Sequence, residues 1–166
     1  MTAAEETQLC LLRHAHAGDP MKWAGPDDIR PLSEKGRLQA ERLGLFLARA
    51  GFRPDAILSS PKTRAMETAG LFAAPFGVRV DVVAELGGPL DLATVEELLH
   101  SAGGPARPVL VGHDPDFSML AAELVGVAEL PLRKGAFIRI DVAGPPEPGR
   151  GILRWLLPPD LMPGDG

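Results

Sequence analysis

A single cysteine is the whole thiol complement of this chain, so a disulfide framework is excluded. Cys10 sits in the apolar run Leu9-Cys10-Leu11-Leu12, where a buried and inert thiol is expected, as suits a reducing compartment. No stretch approaches the roughly 18 consecutive apolar residues of a membrane span. Residues 1–7 are polar and acidic and lack the basic start and apolar core of a signal peptide. The expectation is a cytoplasmic protein without a membrane partner. Positive charge is also in short supply, with 17 Lys and Arg against 22 Asp and Glu for a formal net charge of -5. No global basic field draws in nucleic acid, and any anion must be held locally. Paired His or Cys at ligand spacing and an Asp-rich magnesium loop are missing too, which is consistent with a chain that needs no metal, and no cofactor is expected.

With 166 residues and 45% hydrophobic content, the chain suits one domain over residues 1–166. Residues 1–7 and 158–166 are expected to be flexible ends. The 17 prolines and 19 glycines cluster between periodic segments and in the tail, which marks loops rather than disorder. The run 8–12 reads as a buried parallel strand that stops at Arg13-His14. A Gly-, Pro- and Asp-rich loop follows, and Ser33-Glu34-Lys35-Gly36 opens an amphipathic helix up to Gly51. Strands are expected at 55–59, 78–83 and 108–112, and helices at 63–74, 92–100 and 116–125. Residues 136–142 and 152–157 read as a closing hairpin or edge pair around the loop 144–151. Strands alternating with helices predict a single-domain three-layer α/β/α sandwich with a mostly parallel central sheet and no large lid domain.

In such sheets ligands bind at the carboxyl ends of the strands. Arg13-His14 and His113 both fall there, and the segment from Ser60 to Arg64 leaves the second strand at the same edge. Three pieces of chain thus deliver cationic and imidazole groups to one mouth. Arginine binds phosphate bidentately and keeps its charge, which nominates Arg13 and Arg64. An imidazole with one nitrogen tied to an acceptor can attack through the other, which nominates His14 as nucleophile with a backbone carbonyl as its partner. His113, on another strand end, would donate to the same phosphate oxygens.

The run Leu11-Leu12-Arg13-His14-Ala15-His16-Ala17 resembles the Arg-His signature of the histidine phosphatase (phosphoglycerate mutase-like) superfamily, with Ala15 where Gly is more common. The resemblance continues through Arg30-Pro31-Leu32-Ser33-Glu34-Lys35-Gly36, then residues 58–69 with Arg64, and ends in Val109-Leu110-Val111-Gly112-His113-Asp114-Pro115. Four pieces in order on an alternating pattern identify a single histidine phosphatase domain. The resemblance implies a covalent phosphohistidine at His14, phosphate contacts from Arg13, Arg64 and His113, and no metal. It also implies a carboxylic acid after the third strand, for which Glu85 is the positional candidate and Asp91 a poorer one.

Only residues 85–90 separate the third strand from the next helix, and the first loop is short, so the pocket should be open and shallow. Length and the segment 30–36 are most similar to SixA-type phosphohistidine phosphatases, which act on a histidine phosphotransfer domain in signalling. The expected partner is therefore a phosphorylated protein, with a small phosphoester as the alternative. A phosphate-binding module without turnover and a mutase are further rivals; the missing lid insertions speak against the mutase. His16 reads as a rim residue, and His100 as a helix-end cation favoured near C-terminal carbonyls. Trp23, Lys22 and Lys134 lie near the expected mouth; of these, Lys134-Gly135 best suits an acidic substrate.

Overall fold

The computed structural model describes residues 5–163. Its first strand, β1 (Glu6–Arg13), forms because four successive buried residues, Leu9 to Leu12, can face apolar layers on both sides at once. Odd and even positions diverge as the pleat requires. Leu9 and Leu11 pack with Leu58 and Leu110 against helices α3 (Leu92–Ser101) and α4 (Asp116–Val125). Cys10 and Leu12 pack with Ile57, Val109 and Val111 against α1 (Glu34–Arg49) and α2 (Thr63–Ala73). Each fully buried leucine here contributes roughly 1.5–3 kcal/mol. The two cores sandwich one sheet. Burial also pushes the Cys10 thiol far above its ordinary value, which keeps it protonated.

The remaining strands are β2 (Ala56–Ser59), β3 (Val80–Val82), β4 (Pro108–Gly112), β5 (Phe137–Ala143) and β6 (Ile152–Leu157). Their order is β3-β2-β4-β1-β5-β6. The first four run parallel, while β5 and β6 add an antiparallel edge. This is the three-layer sandwich that the alternation of elements predicts. Among the described residues no helix is long and apolar enough to cross a membrane.

The ends differ from expectation. Glu6 and Thr7 pair with Ala143 and Val142, and Met162 is buried in the core on the α1 and α2 side. Residues 6–7 and 158–162 are therefore built into the fold, because the strand ladder and one apolar side chain tie them down. Residues 1–4 and 164–166 lie outside the described part.

Close packing at the start of α1 positions the first loop. Ser33 caps the helix, its hydroxyl accepting from the Gly36 N–H at 3.1 Å. A methyl group on Gly36 would overlap the His16 carbonyl, so only glycine lets α1 approach the loop this closely. The His16 N–H donates to Gln39 Oε1 at 3.0 Å, and the Ser33 N–H to the His16 carbonyl at 3.0 Å.

Candidate active site

The parallel strands β1, β4 and β2 are neighbours, so their carboxyl ends open side by side. β1 ends at Arg13, and the His14 N–H continues the ladder by donating to the Gly112 carbonyl at 2.9 Å. His113 follows β4 directly. The Ser60 N–H donates to the Val111 carbonyl at 3.0 Å, which holds the exit of β2 against β4. Arg64 lies in the first turn of α2, and Thr68 joins that helix to the first loop by accepting from the Ala15 N–H at 3.0 Å. Backbone pairing thus gathers four separate segments at one sheet edge.

His14 is 5% exposed, and its Nδ1 lies 2.8 Å from the Ala15 carbonyl. A carbonyl oxygen only accepts, so Nδ1 carries the proton and Nε2 keeps its lone pair. Burial pushes the His14 pKa down to about 3; the bond to Ala15 opposes this, while His113, Arg64 and Arg13 reinforce it. The ring is neutral at physiological pH, as a nitrogen nucleophile requires.

The His14 and His113 ring centres are 5.2 Å apart. Burial, followed by the charges of Arg64, Lys62 and Arg13, pushes the His113 pKa down to about 4. His113 Nε2 lies 2.7 Å from the Ser60 hydroxyl, which already accepts from the Lys62 N–H at 3.2 Å. The proton assignment that gives the hydroxyl hydrogen an acceptor has Ser60 donating to Nε2, with the His113 proton on Nδ1. That Nδ1 is buried without a partner.

Arg13 Nη1 donates to the Leu132 carbonyl at 2.7 Å and lies 3.4 Å from Asp114. Arg64 is 6% exposed and gives both terminal nitrogens to Asp27, at 2.9 Å to its carbonyl and 3.1 Å to its carboxylate. Asp27 also accepts from Arg30 Nε at 3.1 Å, and the bond from Arg30 is the main reason its carboxyl is held below the usual range. Four buried side-chain polar atoms lack partners among the described residues, and three of them are Arg13 Nε, Arg64 Nε and His113 Nδ1. Buried donors without acceptors cost about 1–3 kcal/mol each, so their concentration at one site calls for an anionic ligand.

The structure therefore brings Arg13, His14, Arg64 and His113 to one place but does not draw Glu85 into their hydrogen bonds. Glu85 is exposed and lines a groove of about 670 Å³ with Asp55, Arg79, Leu98 and Ser101, beside the outer edge of the sheet. That groove contains none of the four clustered residues. Asp91 caps α3, accepting from the Thr94 N–H at 2.8 Å. His16, expected at the rim, ties the loop to α1 through a 2.6 Å contact with the Ser33 hydroxyl. Sequence reasoning misses Asp27 and Ser60 as partners of the cluster. Ser60 is signalled by its place beside Pro61 at a strand exit, whereas nothing in the spacing of Asp27 points to Arg64.

The family model of the histidine phosphatase superfamily (branch 1) matches residues 9–88. An uncharacterised protein of Picosynechococcus sp. is 34% identical over 112 residues, which make up 66% of this chain and 67% of that one. The protein histidine phosphatase SixA complexed with tungstate superposes with a TM-score of 0.80 at 23% identity, covering 93% of this chain and 98% of that one. A protein assigned as the phosphohistidine phosphatase SixA in Agrobacterium tumefaciens gives 0.74 at 26% identity over 91% of this chain and 97% of that one. The chain belongs to the histidine phosphatase superfamily and is a hydrolase of the phosphatase class.

Proposed function

We propose that this enzyme removes phosphate from protein phosphohistidine through a covalent intermediate on His14, without a metal, in the manner of SixA-type phosphatases. The observation that carries this reading is the buried, neutral His14 ring, whose Nδ1 is committed to the Ala15 carbonyl. In the first step the Nε2 lone pair attacks phosphorus. The N–P bond forms as the bond to the leaving group breaks, and that group departs with the electron pair and takes up a proton. Water then attacks phosphorus and loses a proton, releasing inorganic phosphate and the neutral imidazole. Arg13, Arg64 and His113 hold the phosphoryl oxygens through both steps.

The carboxylates around the site favour a P–N bond over an ester. Asp27 is paired with Arg64 and Arg30 and held below the usual carboxylate range, so it is ionised at neutral pH and cannot protonate a leaving alkoxide. Asp114 lies 3.4 Å from Arg13. Glu85 faces the groove at the sheet's outer edge. An imidazole leaving group needs less help from an acid, and a phosphorylated histidine phosphotransfer domain is the partner that suits the short loops expected around the site.

The test is dephosphorylation of such a domain beside p-nitrophenyl phosphate, in chelator, with wild type, His14→Ala and Glu85→Gln. Rapid loss from the phosphohistidine protein that vanishes in His14→Ala and stays within about twofold in Glu85→Gln is expected. Strong ester turnover with an inert phosphohistidine protein would move the substrate to a phosphomonoester. Turnover of neither would overturn the reading.

A further inference from the structure

Beside the site runs a second groove, of about 580 Å³, between α1 and the segment before β5. Arg13, which also belongs to the site, lines it together with Lys35, Arg42, Arg133 and Lys134, and Leu38 and Pro159 add apolar surface. A concentration of cations is unexpected in a chain of net charge -5. Asp160, the one carboxylate among the described residues that line the groove, lies 3.9 Å from Arg133. Among the described residues Lys35, Arg42 and Lys134 take part in no ion pair. Arg42 Nε is buried and has no hydrogen-bond partner among the described residues. Crowding of like charge is felt locally. The Lys134 pKa is lowered, first by burial and then by Arg13, Arg30 and Arg64, and that of His16 by burial, Lys35 and Lys134.

These positive groups come from α1 and from residues 133–134, so no local sequence requirement of either segment explains their meeting. We propose that the groove binds a carboxylate-rich segment of the phosphoprotein substrate next to its phosphorylated residue, with Arg13 shared between the groove and the phosphate. The inference rests on the phosphoprotein reading above. A peptide's carboxylates suit the groove better than a second phosphate does. Its cations come from separate segments of chain, the apolar side chains of Leu38 and Pro159 lie among them, and the pair already present is Arg with carboxylate.

Binding can be tested without turnover. A fluorescent Asp/Glu-rich peptide and its Asn/Gln counterpart, neither phosphorylated, are titrated by anisotropy at low and high salt against wild type and Lys35→Glu/Lys134→Glu. The acidic peptide should bind wild type roughly tenfold or more tightly than its neutral counterpart, and the preference should collapse in the variant and at high salt. Thermal melting of the variant checks that it is folded. Equal binding of the two peptides by wild type, or a preference that survives charge reversal, would overturn the inference. So would a bisphosphorylated sugar that displaces the acidic peptide and binds more tightly, which would assign the groove to a second phosphate. Failure of the phosphohistidine assay leaves this titration readable, so the two readings fail separately.

Discussion

Replacing Ser60 by alanine removes the group that sets the His113 tautomer. Ser60 is fully buried, and its hydroxyl lies 2.7 Å from His113 Nε2. Without it, a neutral imidazole is free to carry its proton on Nε2, leaving Nδ1 as an acceptor where the proposed mechanism needs a donor to the phosphate oxygens. A neutral hydrogen bond of this kind is worth about 0.5–1.5 kcal/mol, so the tautomer ratio shifts roughly 2- to 13-fold against the productive form. kcat/KM on the phosphorylated substrate should fall by about twofold or more, with the shift in tautomer ratio as the ceiling, because the rate scales with the fraction of enzyme whose Nδ1 can donate. Ser60→Ala also frees the Lys62 N–H at the start of α2, so a purely structural loss must be told apart. Nitrogen-15 spectra of the His113 ring do this: proton occupancy should move from Nδ1 towards Nε2. Unchanged kcat/KM with an unchanged ring spectrum would refute the tautomer argument.

Three further outcomes follow from burial and close approach. The His14 ring should stay neutral when followed by NMR from pH 7.5 to pH 5, since its pKa is pushed from 6.5 down to about 3; a midpoint near 6.5 would contradict its desolvation. The same shift makes stability fall as pH drops below 6.5, because the unfolded chain takes up a proton at His14 that the folded chain does not. The loss approaches about 1.4 kcal/mol per pH unit between the two values, His113 acts in the same sense, and the contribution is fully retained above that window. Urea midpoints at pH 7.5 and pH 5 measure it, and equal midpoints would count against it. Gly36→Ala forces a methyl group into the His16 carbonyl and should cost about 1–3 kcal/mol, a fall in Tm of roughly 2–12 °C. An unchanged Tm would show that α1 can retreat freely.

Most of the secondary structure is legible in the sequence, because it depends on short-range pattern. Four buried residues in a row at 9–12 make a strand coated on both faces, and Ser33 with glycine three residues on marks a capped helix start. The same patterns put Arg13, His14 and His113 at strand ends, since each follows directly on an apolar run. What the pattern cannot carry is the contact between distant segments. Asp27 reaches Arg64 across 37 residues, and Ser60 reaches His113 across 53. The side of the sheet edge that Glu85 faces was likewise undecidable from its position after β3. Lys134 is legible as a cation near the mouth, but Lys35 and Arg42 carry no such signal; only the packing of α1 against the turn before β5 makes the three one positive groove. Hydrophobic periodicity and caps act within a few residues along the chain, whereas ion pairs, tautomers and grooves depend on which strand lies beside which, and that is settled only when the sheet assembles.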